Sequence, residues 1–378
     1  MISGSGECFM VWEANMTDFN LKDFFESGAF LQTGPDLFKV LVGPFKPVKV
    51  AHAADAGDIT LLYRPKFWDF LKTGSESAQD IVYMAAKTYS LNREDFIRFL
   101  ASAPALEPSL QWEKPSASDF ASQFNWSQEQ FRLGILSKTV PIIRQSANKS
   151  LNESNKLWCL RMLLQQNDYG WSYGLFENEK GVIGHTPEML AKWDADSLKL
   201  KTMALAGTYP KSESASREIK ADKKIRNEHE IVVTDIRVKL SGYDFQQSET
   251  DVLELRYLLH LKTEFEVSIK NMAGAVEVIN RLHPTSAMGI FPADSGKFAE
   301  FSQLPIQKDR QSFAAPFAFL NRTSVNCVVA IRNIQFDGWK TEIFSGCGVT
   351  TGSSLELELE ESQLKRNSVK KMLGLKID

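Results

Sequence analysis

The sequence predicts a mixed fold of α/β or α+β class. Strand-patterned and helix-patterned segments follow one another along the whole chain, with no block of either kind. The 378 residues are 43% hydrophobic and 24% charged, close to an average soluble globular protein, which excludes collagen-like, disordered and low-complexity chains. No uninterrupted apolar run approaches the roughly 18 residues of a membrane-spanning helix, and no internal repeat is visible.

The elements follow in chain order. Asp58–Tyr63 is an apolar run that reads as a strand. Ser77–Thr88 and Arg93–Leu100 have helical apolar spacing. Ala101–Ser118 is rich in Pro, Ser and Ala, with Pro104, Pro108 and Pro115, and reads equally as a domain boundary or a long surface loop. Val182–Gly184, Met189–Trp193 and Leu198–Met203 read as strands, with Ala206-Gly207-Thr208 as a turn after the last. Ala221–Leu240 and Met272–Arg281 read as helices, and Val325–Asn333 and Thr341–Phe344 as strands. Glu358–Leu373 closes the chain as a helix. Its approach, Leu355 to Glu360, alternates with strand period, while Glu360 to Lys365 has helix period.

Charge and cysteine usage narrow the function classes. Lys+Arg total 44 and Asp+Glu 47, a net charge of −3. This gives no basic footprint for nucleic acid and no polybasic membrane patch. A small anionic substrate would be held by a few placed cations. Cys8, Cys159, Cys327 and Cys347 stand singly, without the pairs of a zinc ribbon or the density of a disulfide scaffold. Free thiols in a reducing compartment are expected. Met1 to Glu7 lacks the basic-then-apolar form of a signal peptide, so a cytoplasmic location is expected.

Several residues carry candidate chemistry. Glu228-His229-Glu230 lies in a helical stretch, where i and i+2 do not share a face, so the three cannot all ligate one ion. A polar surface face fits the same pattern. Glu358, Glu361 and Lys365 share a helix face, and two carboxylates one turn apart suit Mg²⁺; a solvated face with a Glu–Lys pair fits equally. Gly346-Cys347-Gly348 follows an apolar strand and would let backbone N–H groups approach an anion, or merely form a turn. Arg332 interrupts a buried-looking strand and needs a partner, either a substrate carboxylate or an internal acid. Lys138, amid apolar neighbours, could act as a base of lowered pKa or snorkel at a strand end. Glu188 could be a general acid of raised pKa or polar punctuation. His260 and His283 lie in apolar settings and fit core histidines.

The order of these segments from Asn125 to Leu373 is more specific than any one of them. Gly134 with Lys138-Thr139-Val140-Pro141 is similar to a G-x-x-x-[KQ]-V-V-[LP] element. Pro187-Glu188 resembles SPE-L, and Leu205-Ala206-Gly207-Thr208 resembles LAGT. Lys224-x-Arg226-x-Glu228-His229 resembles K-[ED]-x-x-EH. Leu259 to Thr263, Leu282 to Ala287 and Phe344 to Gly348 follow in order, and Glu358-x-x-Glu361-Ser362-x-x-Lys365 resembles ExxETxxK. The set resembles the chorismate-utilising enzymes, a family that includes isochorismate, salicylate, anthranilate and aminodeoxychorismate synthases. Lys138, His260-Leu261-Lys262-Thr263 and Leu282 to Gly289 stand where the amine-forming branches usually read Gln, HIVS and FPxGSxxGAPK. The chain therefore looks most like the water-using branch, the isochorismate synthases of menaquinone and siderophore type.

The resemblance implies a single large domain of two packed, antiparallel-rich sheets flanked by helices, in which residues 1–110 form an N-terminal part and 111–378 the chorismate-binding region. It implies Lys138 as the base that deprotonates water for attack on C2 of chorismate, and Glu188 as the acid that protonates the departing C4 hydroxyl. It implies Mg²⁺ on Glu228 and Glu361 with Glu358 near, and substrate contacts from Gly207, Thr208, His260, Thr263, Ala287, Arg332, Gly346, Gly348 and Lys365. It implies a monomer with no nucleic-acid, membrane or glutaminase partner. Two further enzymatic readings are salicylate synthase and an ammonia-using subunit paired with a glutamine amidotransferase. The non-enzymatic reading is a chorismate-binding relative without turnover. Three departures from the family pattern bear on that choice: Ile225 where an acid is usual, Ile142-Ile143 where Ser-Arg is usual, and Ala315 where glycine is common.

Overall fold

The structure, a computed structural model, describes residues 18–53, 59–72, 79–211, 215–256 and 258–377. Its first third holds α1 (Leu21–Glu26), β1 (Ser27–Gln32), β2 (Leu37–Val42), β3 (Lys46–Lys49), α2 (Val50–Ala53), β4 (Leu61–Tyr63), β5 (Ile81–Met84), β6 (Lys87–Asn92) and α3 (Arg93–Leu100). The middle holds α4 (Ala117–Arg132), β7 (Ile142–Ala147), α5 (Glu153–Leu164), β8 (Trp171–Glu177), β9 (Lys180–Thr186), β10 (Met189–Asp194), β11 (Lys199–Pro210), α6 (Ala215–Ala221) and α7 (Lys223–Lys239). The last part holds β12 (Phe245–Gln247), β13 (Asp251–Glu254), β14 (Leu258–Ser268), α8 (Met272–Leu282), α9 (Phe298–Ser302), β15 (Pro316–Leu320), β16 (Ser324–Val329), β17 (Asn333–Phe336), β18 (Thr341–Gly346) and α10 (Leu355–Met372).

The strands form two antiparallel sheets. One runs β6-β2-β1-β8-β9-β17-β18-β7, the other β12-β14-β11-β10-β16-β15-β4-β5-β3, with β13 beside β14. Strands from before residue 110 enter both. The period-2 alternation of β1 and β2 explains the layering. Ala29, Leu31 and Leu41 pack with Leu62, Phe317, Phe319 and Val328 of the other sheet. Phe30, Phe38 and Val40 point the opposite way, into a core with α1, α3, α5 and α10 through Phe24, Phe96, Leu160 and Val369. The other sheet buries Trp193, Leu200 and Phe265 against α7 and α8 through Val232, Ile236 and Ile279. Helices thus cover the outer faces of two sheets packed on each other.

Four elements differ from the sequence reading. Ser77–Thr88 is not a helix: its described part forms β5 and β6, and Ser77 lies outside the described residues. Val82 is fully buried opposite Val48 of β3, so strand pairing overrides the helical spacing. Val325–Asn333 is not one strand. It splits into β16 and β17, which lie in different sheets, and the chain crosses between them at Ala330–Arg332. A run buried on both sides carries no mark of where it changes sheet. Ala206-Gly207-Thr208 is not a turn but a bulge within the continuous β11, where the register to β14 shifts and Gly207 takes φ 77°. Finally, Leu355 to Glu360 is helical, capped by the Ser354 hydroxyl accepting the N–H of Leu357 at 3.3 Å.

Other expectations meet the structure directly. Asp58 lies outside the described residues, and the strand beginning there is seen as β4. Ala221–Leu240 is divided by Asp222, which caps α7 by accepting from the N–H of Ile225. The Pro-rich stretch runs along the β7 edge, with Glu113 N–H donating to the Ser146 carbonyl. Cys159, Cys327 and Cys347 are buried free thiols, and Cys8 and Met1 to Glu7 lie outside the described residues. Among the described residues no helix is long and apolar enough to cross a membrane.

Candidate active site

Two chain crossings between the sheets build the floor of the site. After β9 the chain leaves the first sheet at Pro187-Glu188 and enters the second as β10. After β16 it returns through Ala330–Arg332 and continues as β17. The crossings are tied together: Val329 N–H donates to the Glu188 carbonyl at 3.0 Å and His185 N–H to the Arg332 carbonyl at 3.2 Å. The β11 bulge, the end of β18, α7 and α10 close a cleft around them.

Ten of the candidate residues line this cleft: Glu188, Gly207, Thr208, Glu228, His260, Ala287, Arg332, Gly346, Gly348 and Lys365. Lys138, Thr263, Glu358 and Glu361 do not; they stand behind it. Lys138 is fully buried, donates from Nζ to the Ser286 carbonyl at 2.6 Å, and has Glu228 Oε1 at 3.6 Å. Burial lowers its pKa, against the pull of Glu228. Thr263 Oγ1 lies 2.8 Å from both His229 Nε2 and Thr250 Oγ1, so it orients His229 and is a supporting group. Glu358 is 1% exposed and paired with Lys224 at 2.6 Å. Glu361 pairs with Lys365 at 2.6 Å across one helical turn.

The ionisable groups facing the cleft are set by burial first. Glu188 is 4% exposed, and burial pushes its pKa up to about 7 against the opposing pull of Lys138 and Lys365. Glu228 is raised by burial, with Glu361 and Glu358 adding to the effect. Burial acts to raise Glu361 as well, but the Lys365 ammonium outweighs it and holds the carboxyl below its usual value. Lys365 also donates to the Gly346 carbonyl at 2.8 Å. His260 donates from Nδ1 to the Gly207 carbonyl at 3.0 Å. Burial, helped by Arg332 and Lys365, pushes its pKa down to about 3, so it is a neutral imidazole whose Nε2 has no hydrogen-bond partner among the described residues. Arg332 holds the left-handed φ of 53° at the crossing, and its Nη1 donates to Ser368 Oγ at 2.7 Å. Its pKa is pushed down to about 10 by burial, which leaves it cationic at neutral pH.

Glu228 and Glu361 also border an outer cavity shared with Thr208 and Lys224. Two carboxylates from α7 and α10 thus face one space, and a crowded buried acid such as Glu228 gains from a cation beside it. This oxygen-only pair fits a hard divalent ion that keeps waters. Among the described residues no group of three or more His, Cys, Asp or Glu converges as a ligand set, and Glu358 is committed to Lys224. The helix face divides Glu228-His229-Glu230 as the spacing requires: Glu230 points outward to Arg237 at 3.0 Å. His283 does not line the cleft; its Nε2 lies 2.9 Å from the Phe67 carbonyl.

Sequence reasoning missed some neighbours. Ser286 contributes a backbone carbonyl, which leaves no side-chain signature. Phe313 and Ile331 reach the cleft from the irregular segments flanking β15 and β17. Pro187, Phe344 and Ser345 line it as the immediate neighbours of motif residues.

Comparison with known proteins agrees with this geometry. Residues 73–374 match the family described as chorismate binding enzyme. The sequence is 27% identical over 212 residues to isochorismate synthase MenF of Escherichia coli, covering 54% of this chain and 48% of that protein. It is 26% identical over 231 residues to the vibriobactin-specific isochorismate synthase of Vibrio cholerae, covering 58% of each. The chain spans about half the length of the curated relatives it matches. Two solved structures share the fold. DhbC from Bacillus anthracis, named as a 2,3-dihydroxybenzoate-specific isochorismate synthase, superposes with TM-score 0.74 at 20% identity over 96% of this chain and 99% of that one. MenF from Escherichia coli, named as menaquinone-specific, superposes with TM-score 0.72 at 17% identity over 94% and 92%. A match over most of its length, joined to a cleft assembled from the same ordered segments, places this chain in the chorismate-binding enzyme family.

Proposed function

We propose that this chain is a Mg²⁺-dependent isochorismate synthase, which adds water at C2 of chorismate and expels the C4 hydroxyl. One observation carries the reading: a buried carboxyl, Glu188, lines the cleft and a fully buried lysine, Lys138, stands just behind it, close enough for the two to feel each other's charge. A lysine whose pKa is lowered by burial can serve as the base that water requires, whereas ammonia is already a nucleophile. Lys138 takes the proton from water as oxygen bonds to C2. Both ring double bonds shift by one position toward C4, the C4–O bond breaks, and Glu188 delivers its proton to that oxygen, which leaves as water. One water enters and one leaves, so the net change is an isomerisation.

The substrate carries two carboxylates. Arg332 would hold one, with the backbone around Gly207, Gly346 and Gly348, and Lys365 adds a second cation. Mg²⁺ on Glu228 and Glu361 would neutralise the other carboxylate and stabilise developing charge. Thr208 and Ala287 shape the wall, and His260, neutral, offers an acceptor at Nε2. The reading brings with it a cytoplasmic monomer that needs no glutaminase subunit.

The test is to incubate the purified chain with chorismate and Mg²⁺, with and without ammonium, and to identify products by mass. Isochorismate without ammonium is expected. Salicylate would move the reading to salicylate synthase, and an amino product formed only with ammonium would overturn it. Bound chorismate without any product would make the chain a binding protein. Lys138→Gln should abolish water addition, and unchanged turnover would remove Lys138 from the mechanism.

A further inference from the structure

The geometry points to Asp235 and Lys239 as a positioning pair that fixes the base of the water addition, an inference resting on the function proposed above. Both lie on α7, the helix that carries Glu228 into the cleft. Asp235 follows Glu228 by seven residues and Lys239 follows by another four, spacings that keep all three near one face. Asp235 is 1% exposed and does not border the cleft. Its Oδ2 accepts the N–H of Ser286 at 2.7 Å and the Lys239 ammonium at 3.1 Å. Lys239 also donates to the carbonyl of Leu282 at 3.2 Å and to that of Pro284.

These contacts pin the irregular segment that follows α8. That segment bridges to the Lys138 backbone at Phe291, and among the described residues it meets the side chain of the proposed base through the Ser286 carbonyl, which accepts from Lys138 Nζ at 2.6 Å. On its other side Lys138 meets Glu228 Oε1 at 3.6 Å. One helix therefore sets the two polar contacts of the lysine's Nζ seen among the described residues: Glu228 directly, and Ser286 through Asp235 and Lys239. The pair is neutral as a unit, so its effect on Lys138 is placement. A buried ion pair is a costly way to hold a loop. Here its donors and acceptor are matched to an amide and two carbonyls that no apolar pair would satisfy.

The test compares Asp235→Ala/Lys239→Met, which removes the acceptor and the donor to the two carbonyls, with Asp235→Asn, which keeps an oxygen for the Ser286 amide and Lys239 for the carbonyls. Two quantities are read on folded protein: kcat and KM for chorismate, and the Lys138 Cε resonance in lysine-labelled protein, assigned by its loss in Lys138→Met. The alanine variant should lose at least about tenfold in kcat with KM within about twofold, because small misplacement of a reacting group is costly. Its Lys138 resonance should move. The asparagine variant should keep kcat within about threefold and leave the resonance in place. An alanine variant that loses stability yet keeps both kcat and the resonance would overturn the inference. If the parent chain makes no isochorismate, the functional reading fails and the resonance alone decides this one. Should the alanine variant not fold, Asp235→Ser/Lys239→Met, with a shorter side chain, reads the same two quantities.

Discussion

Glu188→Gln should change how the stability of this protein depends on pH, and the size of the effect follows from the site. Burial raises the Glu188 carboxyl from 4.5 to about 7. The folded state therefore keeps a proton that the unfolded chain releases in that interval. The sign is fixed: stability from this group is fully present below pH 4.5 and is lost as the pH rises through 7. At about 1.36 kcal/mol per pH unit, the loss totals roughly 3 kcal/mol. Glutamine has nearly the same shape and does not titrate. Urea unfolding of both proteins at about pH 5 and about pH 8 isolates the effect, because groups that do not feel Glu188 cancel in the difference. The variant should gain roughly 2 to 3 kcal/mol relative to the parent between those conditions. A difference that stays flat would mean that the Glu188 carboxyl is not held protonated, and its role as the acid would go with it.

Two further substitutions test the walls of the site. A Cβ at Gly348 would stand 1.9 Å from Glu228 Oε1 and 2.8 Å from Lys138 Cε. Gly348→Ala should displace the carboxylate, lower isochorismate formation at least about tenfold and raise the Mg²⁺ needed for half-maximal rate; Gly352→Ala, where a Cβ meets nothing within 4 Å, is the neutral control. Equal rates for the two variants would contradict the close approach. Ile225→Glu, which writes the usual acid of the family motif back into the chain, should destabilise the fold by at least about 2 kcal/mol in urea unfolding. Ile225 is buried with Ile219, Leu259 and Leu261, whose side chains offer a carboxylate no hydrogen bond, and it also borders the outer cavity with Lys224 and Glu228; a shift under about 1 kcal/mol would show that the new carboxyl is accommodated toward that cavity.

The departures from the family pattern take on a physical meaning once the packing is known. Ile225 fills an apolar cluster and touches the underside of the bulge: a Cβ on Gly207 would meet Ile225 Cγ2 at 2.5 Å. The acid it replaces would enter this packing, so the substitution belongs with its neighbours. Ala315 replaces a common glycine, yet the left-handed residue is its neighbour Ala314, at φ 63°. The backbone at 315 itself makes no demand for glycine. Ile142 and Ile143 are buried on opposite sides of β7, Ile142 in the core under the second sheet and Ile143 against Phe120 and Cys347. None of the three removes a group that lines the cleft.

Ordered motifs made most of the cleft legible in the sequence, because each is short, local and bears a side chain with distinctive chemistry. What stayed hidden was topology. The run from Val325 to Asn333 reads as one strand, because apolar residues continue through it whichever sheet they join. The break at Arg332 is where the guanidinium gains its place: a residue within a paired strand would face one side of one sheet, while a residue on the crossing stands between the two. The same holds for Glu188 on the other crossing. The acid and the arginine that the motifs singled out are thus brought together by the two places where the chain changes sheets. That junction is set by pairing partners far apart in sequence, such as Asn333 with Gly184 and Met189 with Val328. Lys138 reaches it by a third route, through a carbonyl at residue 286 that no local pattern marks. Side-chain identity can be read along the chain, but the convergence that brings a buried lysine and a buried carboxyl to one cleft is a property of the two-sheet packing.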